Sequence, residues 1–232
     1  MTTRKLVLLI AFLGGSFLTS AQYNDFGVWA STRVDQPLLK NLNGNLELAC
    51  RTGNLATEAQ SIFTDAAMEY RLLKQVRIGG NYRYGARLHE DGYYTFRQRF
   101  AVDLRLKEEI GDINVGYRFR FQATNNSLGQ NEGGIEFRNS YRHKLSASTK
   151  LMKKTWVNCA GEVWTSVRDE QMMMSDLRIK LGYKRKLKKR KYYSAGFLFQ
   201  TELNSGDPLR EYVIYLTLDF ERKKPGWMKK KD

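Results

Sequence analysis

In the middle of the chain, Ile113, Val115, Tyr117, Phe119 and Phe121 alternate without a break with Asn114, Gly116, Arg118, Arg120 and Gln122. Successive side chains of an extended strand point to opposite faces, so this period of two gives one apolar face and one polar or small face. The preceding segment repeats it, with Tyr94, Phe96, Phe100, Val102, Leu104 and Leu106 set against Arg97, Arg99, Asp103 and Arg105, and only Gln98 interrupts the apolar face. Val76, Ile78, Tyr82 and Tyr84, then Leu177, Ile179, Leu181 and Tyr183, and finally Tyr212, Ile214, Leu216, Leu218 and Phe220 continue the series. Helical periodicity is hardly visible, so the chain reads as all-β.

Alternation alone fits a soluble sandwich as well as a membrane barrel, because both have one apolar and one polar face. Segment length separates them. Soluble strands usually run about five or six residues, whereas a tilted strand that crosses a bilayer needs about nine to eleven. The segments here reach the longer figure. They fall near 25–34, 44–52, 61–72, 75–87, 93–107, 112–123, 134–148, 155–167, 172–186, 191–204 and 210–221. Antiparallel barrels of a single bacterial chain normally close with an even number of strands. The expectation is therefore a closed antiparallel up-and-down transmembrane β-barrel of 10 to 12 strands. Ten or twelve is preferred, either because the first segment is not a full strand or because 155–167 hides another.

The connections support the same fold. Short ones such as KEEIGD and LKKRK alternate with longer ones such as ATNNSLGQNEGG over 123–134. Outer-membrane barrels have short periplasmic turns and longer outer loops. Aromatic pairs at segment ends, Tyr93-Tyr94 and Tyr192-Tyr193 among them, suit interfacial girdles.

Residues 1–21 carry Arg4 and Lys5, an apolar run from Leu6 to Leu18 and Thr19-Ser20-Ala21, the pattern of a signal peptide with cleavage before Gln22. The run is too short to span a membrane as a helix. The chain thus divides into a signal peptide at 1–21, a barrel at 22–221 and a basic tail at 222–232, and is expected in the outer membrane of a Gram-negative bacterium. Net charge is +15, and loss of Arg4 and Lys5 lowers it by two, to +13. Such a charge suits nucleic acid, anionic lipid or small anions, and export argues against nucleic acid. Cys50 and Cys159 lie in separate strand segments without metal-ligand spacing and read as small apolar side chains.

Several short patterns resemble one family. Asp25-Phe26-Gly27-x-Trp29, Phe63-Thr64-Asp65 with Glu69-Tyr70, Asp91-Gly92-Tyr93-Tyr94 with Arg97-x-Arg99-Phe100, and Tyr117-Arg118-x-Arg120-Phe121-Gln122 resemble the family catalogued as domain of unknown function 2490. The resemblance covers nearly all of the chain after residue 21. It implies an outer-membrane barrel of Bacteroidota-type bacteria with no established activity, so no catalytic residue is carried over. One departure is the ending: Phe220 is followed by ERKKPGWMKKKD, where a barrel usually stops at an aromatic residue.

With the apolar face toward lipid, the lumen receives Arg97, Arg99, Arg118, Arg120, Arg138 and Arg142 together with Glu69, Asp103 and Glu136. Further arginines and lysines, among them Arg51, Arg77, Arg83, Arg105, Lys144, Arg178, Lys180 and Lys184, outnumber the other acids, Glu47, Asp65, Glu162, Glu202 and Asp219. Charges in a narrow lumen must be paired, so a structural network of arginine forks on carboxylates is the first expectation. If a water-filled path remains, the cation excess favours small anions.

The rival classes are a lipid-modifying enzyme and a soluble periplasmic ligand-binding barrel. The two histidines are His89 and His143, and His143 shares the outer face with Asn139, Tyr141 and Leu145. The nearby Ser140, Ser146 and Ser148 have the opposite parity and point inward. No enzyme activity, cofactor or metal is expected. Glu90, Asp91 and Glu132 read as solvated loop acids. The run YKRKLKKRK at 183–191 and the basic tail read as solvated turns, or as contacts to anionic headgroups in the inner leaflet.

Overall fold

The structure is a computed structural model that describes residues 24–89, 91–125, 137–168 and 171–223. Eleven strands follow one another in the chain: β1 Asn24–Pro37, β2 Leu42–Gly53, β3 Glu58–Arg71, β4 Val76–Leu88, β5 Tyr94–Ile110, β6 Ile113–Asn125, β7 Arg138–Met152, β8 Thr155–Arg168, β9 Gln171–Lys188, β10 Lys191–Glu202 and β11 Arg210–Glu221. Each pairs with its sequence neighbours, and β11 returns to β1, so the sheet closes into a barrel. Closure pairs the two strands that would otherwise be left as edges.

The preference for ten or twelve strands is corrected to eleven. The first segment is a full strand of 14 residues, and β8, also of 14, is one continuous strand. In an up-and-down meander with an odd count the first and last strands run the same way, so the seam has to be parallel. It is: β1 and β11 pair in parallel from Asn24↔Arg210 to Asp35↔Glu221, while every other neighbour pair is antiparallel. β1 therefore starts at the opposite end of the barrel from the one where β11 finishes.

One end carries the connections 38–41, 72–75, 111–112, 153–154 and 189–190, and is called the turn end here. The other, the loop end, carries 54–57 and 203–209 and the facing ends of β4 and β5, of β6 and β7, and of β8 and β9. At 111–112, Ile110 pairs with Ile113 across a two-residue turn, and Gly111 takes a φ of 59° that most side chains avoid.

Alternation sorts the two faces as the sequence implies. Leu46, Leu48, Phe100, Val102, Leu104, Leu145, Leu181 and Leu216 are exposed on the outside. Gln98, the interruption in β5, is met on that outer face by the Tyr82 hydroxyl, which donates to its Oε1 at 3.4 Å. Cys50 and Cys159 are unbridged. The buried residues are inside, and more of them are polar or charged than apolar, among them Asp65, Asp103, Arg120, Arg142, Glu162 and Asp219. One sector of the lumen is apolar, where Leu198, Val213 and Tyr215 pack together with Trp29 against them. Tyr215 lies over the paired glycines Gly182 and Gly196, and a Cβ on Gly182 would stand 1.7 Å from its hydroxyl.

Candidate functional site in the barrel lumen

Strand register puts opposite charges side by side on the inner face. Arg33 stands opposite Glu47, Asp65 opposite Arg83, Asp103 opposite Arg120, and Glu162 between Lys144 and Arg178. Most of these close to ion pairs. Asp65 accepts from Arg83 at 2.8 Å and Arg99 at 3.3 Å, and also from Asn81. Asp103 takes both Nε and Nη2 of Arg120, at 2.5 and 2.7 Å, and Arg105 at 2.8 Å. Arg105 continues to Glu69 at 2.5 Å, which also holds Arg77 at 2.9 Å. Glu162 gathers Arg118 at 2.6 Å, Arg142 at 2.9 Å and Arg178 at 3.6 Å. Each of these acids thus serves two or three guanidinium groups, and charge-assisted bonds of this kind are the strong ones.

Aromatic rings extend the network. Arg83 sits 3.6 Å over Phe63, and Arg51 lies 4.9 Å over the same ring and 4.0 Å over Trp29. Arg178 lies 5.1 Å over Trp29 and 4.6 Å over Trp164, which Arg142 covers at 4.5 Å. Arginines and rings therefore alternate in one ladder from β4 through β3, β2, β1, β9 and β8 to β7. The rings cover guanidinium faces and leave the N–H edges for carboxylates, a favourable use of arginine over ammonium.

This belt separates two cavities. The larger, about 470 Å³, opens toward the turn end and is lined there by Arg33, Glu47, Lys107, Lys144 and Lys180. The smaller, about 300 Å³, opens toward the loop end and is lined there by Arg87, Arg97, Asp176, Glu202 and Glu211. Arg51, Arg83, Arg99, Arg142 and Arg178 border both. Among the described residues, the lumen cations Arg51, Arg87, Arg97, Lys107, Lys144 and Lys180 have no carboxylate within ion-pair distance. Lys180 instead sits 3.6 Å over the Tyr215 ring.

Of the residues expected in the lumen network, Glu69, Arg99, Asp103, Arg118, Arg120 and Arg142 come together in it. Arg97 faces the smaller cavity without an acid partner. Arg138 stands exposed at the start of β7, outside both cavities. Glu136 lies outside the described residues, as do Glu90 and Glu132. Arg33, Asp35, Asp176 and Glu211 are further lumen charges that the sequence reading passed over. Arg33 and Asp35 continue the parity of Trp29, and that parity is the signal that places them inside. On the outer face, His143 Nδ1 is 2.7 Å from the Tyr117 hydroxyl and its ring packs by Phe119. Ser146 donates inside the wall to the Gly116 carbonyl. Asp91 is paired with His89 at 3.0 Å. Among the described residues no three His, Cys, Asp or Glu side chains converge as metal ligands.

Fold and site define a closed all-β barrel with a charged, arginine-rich lumen. The sequence matches, over residues 26–210, the model of the family described as protein of unknown function (DUF2490), and the chain belongs to that family. No curated protein matches the chain. Among solved structures, the translocator domain of the autotransporter NalP from Neisseria meningitidis is similar with a TM-score of 0.48 and 14% identity, over 79% of this chain and 80% of that one. The β domain of the Bordetella autotransporter BrkA is similar with a TM-score of 0.44 and 10% identity, over 74% and 78% of the two chains.

Proposed function

We propose that the chain is an outer-membrane barrel, exported by a signal peptide at 1–21, whose lumen is a narrow water-filled path that prefers small anions. The outward apolar band and strands of 12 to 18 residues suit a bilayer. The observation that carries the anion preference is the pair of cavities meeting at the arginine belt, with Arg51, Lys144 and Lys180 bordering them free of carboxylates. Cations without a nearby acid raise local anion concentration and oppose cation entry.

The ion-paired groups around Asp65, Asp103 and Glu162 favour a second reading, a closed scaffold whose lumen charges hold the wall together. Single-channel recording of the detergent-folded barrel in a planar bilayer separates the two. Current steps whose reversal potential in a salt gradient indicates chloride over potassium support the path. Insertion without steps supports the scaffold, and failure to insert counts against the membrane barrel itself.

A further inference from the structure

The loop-end cavity is not uniformly basic. Arg87 on β4 and Arg97 and Arg99 on β5 line one side. Asp176 on β9, Glu202 on β10 and Glu211 on β11 line the other. In a ring of eleven strands joined in sequence order, β10 lies opposite β4 and β5, so the two groups face each other across the lumen. Neither group is consumed by the other. Among the described residues, Arg87 and Arg97 have no carboxylate within ion-pair distance, and Asp176, Glu202 and Glu211 have no cation within it. Arg178, on the acidic side, is engaged elsewhere: its Nε donates to Gln200 at 3.0 Å, its Nη1 lies 3.6 Å from Glu162, and Gln200 in turn donates to Asp176 at 3.5 Å.

Unpaired charges of opposite sign on facing walls of a cavity favour a ligand that carries both signs at its two ends. A simple anion meets the arginine wall but leaves the acids uncompensated, and a simple cation does the reverse. The intervening wall offers neutral amide groups from Gln60, Gln122 and Gln200 and the apolar rings of Trp29 and Trp164. A volume of about 300 Å³ is at the small end of ligand sites and suits a molecule of a few residues at most.

We propose that this cavity binds a zwitterion of amino-acid or dipeptide size, its carboxylate on Arg87 and Arg97 and its ammonium toward Glu211 and Asp176. The proposal rests on the water-filled lumen of the preceding reading but not on conduction. Equilibrium dialysis of the detergent-folded full chain against alanyl-alanine, its N-acetyl derivative and its C-terminal amide tests it, with folding checked by heat-modifiable gel mobility. Alanyl-alanine is expected to bind about tenfold more tightly than either singly charged form. The pair Asp176→Asn and Glu211→Gln should reduce it to the level of the N-acetyl anion. Arg87→Gln with Arg97→Gln should reduce it to the level of the amide. Equal or tighter binding of the N-acetyl anion, or no retention of the dipeptide by folded barrel, overturns the proposal. Dipeptide binding by a barrel that passes no current upholds it and removes the conduction reading. Anion-selective current without dipeptide preference does the opposite.

Discussion

Arg120 on β6 and Asp103 on β5 stand directly opposite each other, and the guanidinium donates from Nε and Nη2 to the two carboxylate oxygens at 2.5 and 2.7 Å. Both side chains are buried, and Asp103 also takes Arg105. Removing one partner of such a pair leaves an uncompensated buried charge, whereas replacing both by apolar groups of similar volume leaves none. Asp103→Ala is therefore expected to lower unfolding stability by about 3–5 kcal/mol. The double change Asp103→Leu with Arg120→Met should cost clearly less. Urea unfolding followed by tryptophan fluorescence in detergent gives both values, and a double variant as unstable as the single one contradicts this account.

Asp25 anchors the connection between β2 and β3. Residues Asn54, Leu55 and Ala56 all take positive φ, at 50°, 56° and 65°, a left-handed run that ordinary side chains disfavour. Asp25 Oδ1 accepts from the Leu55 amide at 3.1 Å and from Phe26 at 2.7 Å, and the Ala56 amide donates to the Phe26 carbonyl at 2.9 Å. Gly27 follows because a Cβ there would meet the Thr52 carbonyl oxygen at 2.3 Å. Asp25-Phe26-Gly27 thus has a local structural reason. Asp25→Ala should cost about 2 kcal/mol, the range for orphaned buried donors. Asp25→Asn, which keeps one accepting oxygen, should recover part of that loss in the same unfolding measurement.

The alternating faces made most of this legible in advance. The parity of β5 and β6 alone places Arg99, Asp103, Arg118 and Arg120 inside, and the cross-strand register then pairs them. The seam was not legible: a rule of even closure pointed away from eleven, although the segments themselves numbered eleven. Two lumen features were harder to read. The series Tyr212, Ile214, Leu216, Leu218 and Phe220 marks the outward parity of β11, but Val213 and Tyr215 on the inward parity are apolar, and nothing in them signals an apolar sector in a charged lumen. Asp176 shares the parity of Arg178 and Lys180, but the apolar run Met172 to Met174 and the register shift beside it obscure where the inward face of β9 begins.

The hidden tyrosine makes a further prediction. The Tyr215 hydroxyl is buried and has no hydrogen-bond partner among the described residues, and it occupies the space that Gly182 and Gly196 leave open. Gly182→Ala should overpack this point and destabilise by about 1–3 kcal/mol. Tyr215→Phe removes a hydroxyl that has no partner, so alone it should be neutral or stabilising. Combined with Gly182→Ala, it should restore part of the lost stability. A double-mutant cycle in urea reads the coupling, and strict additivity of the two changes rules out the contact as its source.

At the turn end, apolar residues and lysines recur together: Leu39 with Lys40, Leu73 with Lys74, Met152 with Lys153 and Lys154, Leu187 with Lys188 and Lys189. The leucines and Met152 are exposed. A ring of apolar side chains followed by a ring of ammonium groups is the arrangement that a leaflet boundary with anionic headgroups stabilises, at about 1 kcal/mol per basic residue. Changing Lys40, Lys74, Lys154 and Lys189 to Gln should slow barrel insertion into phosphatidylglycerol vesicles and leave insertion into phosphatidylcholine unchanged. Added salt should reproduce the effect of the substitutions on the wild-type chain. An equal slowing in both lipids would point to the turns themselves.

Arg51, Lys144 and Lys180 allow the lumen's charge to be changed without breaking its wall. Neutralising Arg120 or Arg142 orphans an acid, so any loss of current in such variants mixes folding with permeation. Among the described residues the other three have no acid within ion-pair distance, and neutralising them leaves no carboxylate newly unpaired. Arg51→Gln, Lys144→Gln and Lys180→Gln together should shift the reversal potential in a chloride gradient toward zero selectivity. The unfolding stability in urea should stay within about 1 kcal/mol of wild type, because no carboxylate loses its partner. Arg51 contributes packing on Trp29 as well as charge, so its Lys variant, which keeps the charge and loses the planar stack, is the control. Selectivity retained in Arg51→Lys and lost in Arg51→Gln assigns the effect to charge, whereas loss in both assigns it to the shape of the belt.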